Sequence, residues 1–151
     1  MNAEDHIINE NQRRAITTTL ALLDEMLCVL EQWGKGREAH SVLYEEQNLL
    51  SQNQRRNLLH EISRMRKILA GLQECLCLPR QVRSATGDIW SSCAALRESL
   101  MELEGDRLKG YGALHPNLKR VLEEAIPPLL QGLDRLGSVA SRREPHGPRS
   151  K

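Results

Sequence analysis

Asn11-Gln12-Arg13-Arg14 and Asn53-Gln54-Arg55-Arg56 open two stretches that repeat each other 42 residues apart, which is six heptads. The apolar positions behind them keep step: Ile16 with Leu58, Leu20 with Ile62, Leu23 with Met65, Leu27 with Leu69, Leu30 with Leu72. Each series advances by alternate steps of four and three, the spacing that lines one face of an α-helix. The repeat therefore predicts a pair of amphipathic helices that bury a seam against each other. It predicts no chemistry.

Capping residues set the bounds of both. Asn9 with Gln12, and Ser51 with Gln54, have the spacing of a reciprocal capping box. The first helix then runs from about Asn9 to Trp33, where Gly34 and Gly36 end it. The second runs from Ser51 to about Leu76, where Leu78-Pro79 stops it. The connection from Lys35 to Leu50 is long for a helical bundle, and Arg37 to Asn48 has the makings of a short helix with sparse apolar residues. A chain of that length extends about 50 Å, enough to cross back over the first helix. Parallel and antiparallel pairing both stay open, with antiparallel favoured because sequential helices usually pack that way.

A third helix is expected from about Arg80 to Asp106 on the stripe Val82, Ala85, Ile89, Cys93, Leu96, Leu100, Leu103. Three glycines between Gly105 and Leu114 mark a loop. A fourth helix starts near His115, with Pro116 in the favoured first position, and carries Leu118, Leu122, Ala125, Ile126, Leu129, Leu133 and Leu136. Pro127-Pro128 falls inside that stripe and should kink or split it. The expected architecture is all-α: a four-helix bundle over 1–140, up-down-up-down, with a basic disordered tail over 141–151.

Composition narrows the function. The 151 residues contain no Phe, two Trp and two Tyr, so Leu, Ile, Val, Met and Ala must build the core. A net charge of +1 gives no global field to attract nucleic acid or anionic lipid. The polar N-terminus has no secretory pattern, and the apolar run Leu20 to Leu30 is broken by Asp24 and Glu25 and too short to span a bilayer. A soluble cytoplasmic protein is the expectation. Cys28, Cys75, Cys77 and Cys93 have no zinc or redox spacing and read as small buried or half-buried apolar residues.

Catalytic signatures are sparse. Asp24-Glu25, Glu45-Glu46 and Glu123-Glu124 are adjacent pairs, which diverge on a helix. There is no Glu-x-x-His for a di-iron centre, no haem-attachment motif, no phosphate-binding loop and no nucleophile elbow. No metal or cofactor is expected. Arg55 and His60, five residues apart on a helix, resemble the Arg-x4-6-His motif of the HEPN ribonucleases. That resemblance implies a histidine acting on the ribose hydroxyl and an arginine steadying the phosphate, across a dimer. Here Arg56 follows where that family often has a small polar residue, and about 90 residues of chain come after the motif.

The paired arginines Arg13, Arg14, Arg55 and Arg56 stand in the first turns of their helices, where positive charge opposes the helix dipole. They can serve as donors to phosphate or to a partner's carboxylates. The simpler reading is a duplicated surface with the heads in water. Tyr111, in Lys109-Gly110-Tyr111-Gly112, can anchor a partner or, the favoured reading, tuck over the bundle end.

Asn9 to Arg14, Gln54 to Arg56 and Arg107 to Gly112 together resemble an uncharacterised family of small bacterial all-helical proteins. The resemblance implies a bacterial origin and a shared fold, and carries over no functional residue. The leading expectation is a non-enzymatic interaction module: an adaptor, a regulator or a small subunit of a bacterial assembly, with a protein partner and the capacity to form a homodimer. The alternative is a nucleic-acid-directed protein, either a ribonuclease using Arg55 and His60 or a phosphate-backbone binder using the arginine pairs.

Overall fold

The computed structural model describes residues 7–141; the expected basic tail falls almost wholly outside them. The fold class is all-α. Four α-helices, α1 (Glu10–Gly34), α2 (Gln52–Leu76), α3 (Ala85–Met101) and α4 (Pro116–Ser141), are joined by loops and one short 3-10 helix at Arg107–Tyr111. Among the described residues there is no strand, only an isolated antiparallel bridge between His40 and Glu45. The chain divides into two units, one through Val82 and one from Arg83.

In the first unit α1 packs on α2. Both capping boxes form: Asn9 and Gln12 bond reciprocally at 2.9 Å, and Ser51 and Gln54 do the same at 2.8 and 3.1 Å. The repeated stripes meet at a seam whose most buried apolar residues are Leu27, 1% exposed, on α1 and Ile62 on α2. Burying such side chains is what a short hairpin has in place of a large core. Contacts fix the direction. Arg13 near the start of α1 reaches the end of α2, and Glu31 near the end of α1 pairs with Arg66 of α2. The two helices are therefore antiparallel, and the chain does not cross back. Gly34 is buried against α2: a Cβ there would lie 2.6 Å from Leu59 Cδ2.

The connection is not a helix. It folds back on itself between Ala39 and Glu46, with Ser41 N–H donating to the Tyr44 carbonyl (2.7 Å) and Glu46 N–H to the Ala39 carbonyl (2.8 Å). Sparse apolar residues could not support a helix face there, and side-chain acceptors offered the backbone an alternative.

In the second unit α3 packs antiparallel on α4: Arg97 reaches Asp134 at 2.6 Å, while Lys119 reaches Asp106 at 3.6 Å. Helix α3 is shorter than its stripe implied. Ser84 caps it by accepting from Gly87 N–H at 3.0 Å, so Val82 falls outside and is exposed. Helix α4 starts at Pro116 as expected and is not split at Pro127-Pro128. Those prolines leave the Glu123 and Glu124 carbonyls without their usual donors. Ile126, just before them, is the buried centre of this pair.

Candidate functional site

The repeated arginines divide by position. Arg13 lies three residues before Ile16, in line with the seam, and is only 21% exposed. Its Nη1 donates to the carbonyls of Leu76 (2.9 Å) and Cys77 (2.8 Å), the last carbonyls of α2. A cation among C-terminal carbonyls complements the helix dipole. Arg55 takes the matching place at the other end. Its guanidinium lies against Gly36, just past the end of α1, and its Nη2 donates to the Asn48 carbonyl at 3.3 Å. The duplicated arginines take related places with different partners: Arg13 caps the end of α2, whereas Arg55 packs beside the end of α1 and bonds the loop that leaves it. Gly36 has φ +74 and leaves the space that the Arg55 head fills. Arg14 and Arg56 are exposed, Arg14 near Glu10 at 3.6 Å, and stand at opposite ends of the hairpin. The four arginines do not form one surface.

Arg55 and His60 are not brought together either. Five residues of helix separate them by about 140° around the axis. Arg55 is turned under the α1 end, whereas His60 is exposed on the outer face of α2 with Arg56, Arg64 and Lys67. Tyr111 is 92% exposed and does not tuck over a helix end; Gly112, at φ +143, follows it directly. The cysteines depart from expectation: Cys28, Cys75 and Cys77 are exposed, and Cys93 alone is half-buried. Cys28 sits one residue beyond the seam, and Cys77 occupies the left-handed cap of α2 at φ 49. Among the described residues no group of three or more His, Cys, Asp or Glu is placed to hold a metal ion.

The surface that sequence reading missed is the α1–α2 loop. Asn48, buried, is its hub: its side-chain amide donates to the Trp33 carbonyl (2.7 Å), its N–H donates to Glu38 Oε1 (2.8 Å), and its own side-chain oxygen accepts from Leu50 N–H (3.3 Å). Accepting from Asn48 N–H lowers the Glu38 carboxyl from its ordinary value of 4.5, and His40, 3.1 Å from Glu38, adds to that. Nearer the tip, Glu46 accepts from Ala39 N–H and from the Tyr44 hydroxyl, both at 2.9 Å. The carboxylate beside it raises the Tyr44 phenol above its ordinary range. These bonds hold Val42 and Leu43 out into solvent at 93% and 100% exposure.

No family model, curated protein or solved structure matches this chain. The site has to be read from its own geometry. Among the described residues no helix is long and apolar enough to cross a membrane.

Proposed function

We propose that the chain is a non-enzymatic interaction module, an adaptor, regulator or small subunit of a bacterial cytoplasmic assembly, which docks a protein partner through the α1–α2 loop. One observation carries the reading: Val42 and Leu43 are fully exposed on a loop that at least seven hydrogen bonds hold in shape. Neither residue contributes to the core, so folding gives no reason for them to be apolar. An apolar anchor held in place before binding loses little conformational entropy on docking. Glu45 and Glu46 follow the tip closely and add negative charge, which favours an apolar pocket with a basic rim and disfavours an anionic bilayer.

The test is quantitative affinity capture with the wild-type chain and with Val42→Ser/Leu43→Ser. The reading expects a protein retained by the wild type and lost from the variant, with helicity by circular dichroism equal in both. Equal retention by both chains would overturn it.

A second reading, phosphate binding, is favoured by one arrangement. Arg56, His60, Arg64 and Lys67 follow at steps of four, four and three along one exposed face of α2. A backbone contact of this kind weakens steeply with salt and with Arg56→Ala and Lys67→Ala, whatever the nucleic-acid sequence.

A further inference from the structure

Helix α4 carries two apolar stripes. Leu122, Ile126, Leu130 and Leu133 are buried or half-buried on the side of α3. One residue earlier in each turn runs a second stripe, Leu118, Val121, Ala125, Leu129, and it continues through Leu136 to Val139. Its large members are all exposed, Leu129 at 53%. Helix α3 shows the same step: Trp90 and Arg97 line the groove to Leu133 and Asp134, and the exposed Ile89 and Leu96 precede them. Because the two helices run antiparallel, the same step of about 100° turns both second stripes to one side of the hairpin.

We infer that this face binds a second copy of itself, with α4 lying antiparallel across α4 of the other copy and the two-fold axis beside Leu129. Three features single out that occupant. The stripe reads alike in both directions: an antiparallel copy sets Leu118 against Val139, Val121 against Leu136, and Ala125 against Gly132, so small residues flank Leu129 and allow close approach. The charges on its rim complement themselves. Glu124 and Arg135 are three turns apart on the edge of the stripe, both are exposed, and neither has an ion-pair partner among the described residues. In the antiparallel pair Glu124 stands level with Arg135 of the other copy to within about 3 Å, and the symmetry makes that ion pair twice. Finally, α4 and α3 are about 39 and 26 Å long and about 10 Å wide. They offer roughly 650 Å² per copy, a total of about 1,300 Å², inside the range of stable interfaces. This face belongs to the second unit and the α1–α2 loop to the first, so the inference does not rest on the docking reading.

The experiment is light scattering after size exclusion on the full chain across micromolar concentrations. The wild type is expected to be a dimer. Leu129→Glu should convert it to a monomer with unchanged helicity. Glu124→Arg and Arg135→Glu should each weaken the dimer about tenfold, and Glu124→Arg/Arg135→Glu together should restore it, because the swap re-forms both pairs. A wild type that stays monomeric overturns the inference. So does a dimer indifferent to Leu129→Glu, or one that the double charge swap fails to restore. The charge variants lie on the rim and leave the α3–α4 seam intact, so they decide the matter even if Leu129→Glu perturbs the fold.

Discussion

Arg13 and Arg14 are neighbours with different work. Arg13 caps the carbonyl end of α2, and Arg14 stands in water. Arg13→Ala should cost about 1–2 kcal/mol in urea unfolding, since charge-assisted bonds to otherwise unpaired carbonyls are lost. Arg14→Ala should stay within about 0.5 kcal/mol. The sequence reading treated the four arginines alike, with their heads in water; that fits Arg14 and Arg56 but not Arg13 and Arg55, which stand three residues before the first apolar position of the seam and bond backbone carbonyls. Their partners were not legible, because a helix start does not say which helix end lies across from it. Thr17 is another residue that the seam singles out. It is buried, and its hydroxyl has no hydrogen-bond partner among the described residues. Thr17→Val keeps the shape and removes an unpaired polar atom, so it should stabilise the chain by about 1 kcal/mol in the same assay.

At the scale of elements, local pattern decided some and not others. Helices α1 and α2 could be read almost to the residue because capping boxes and a seam period coincide. In α4 the expected stripe took in Leu118 to Leu136 but left out Val121, Leu130 and Val139, and it merged two stripes one residue apart into one face. The reach of α3 was overread because an apolar period runs on past Ser84, where a side-chain cap starts the helix. The loop was hidden for a different reason. Its shape depends on bonds between residues far apart in the chain, Asn48 to Trp33 and Asn48 to Glu38. It should also be sensitive to acid. The native Glu38 carboxyl is lowered chiefly by the Asn48 N–H, with His40 and Arg55 adding to the effect. Its contribution is therefore complete above the ordinary carboxylate value and is lost as pH falls through the lower native one. Protection of the Asn48 amide, its exchange relative to the free-chain rate at the same pH, should fall over that acid window in the wild type, and Glu38→Gln should flatten the dependence.

On the scale of the whole molecule, the sequence left the direction of α2 open, since the loop is long enough for either path. Arg13 at the end of α2 and Arg66 beside Glu31 settle it as antiparallel. The repeat then acquires its sense: in two similar helices laid head to tail, Arg13 bonds the last carbonyls of α2 and Arg55 holds the loop that leaves α1. The same arrangement puts the two NQRR starts at opposite ends, so the four arginines do not converge on one anion. What it does present, at one end of the first unit, is the apolar tip Val42-Leu43. The measurement that tests the docking reading most directly is photo-crosslinking in cells, with a photoreactive residue in place of Leu43 and, separately, in place of Lys67. The account predicts a discrete protein adduct from position 43, absent from position 67. Adducts from position 67 that nuclease removes, with none from position 43, would contradict it.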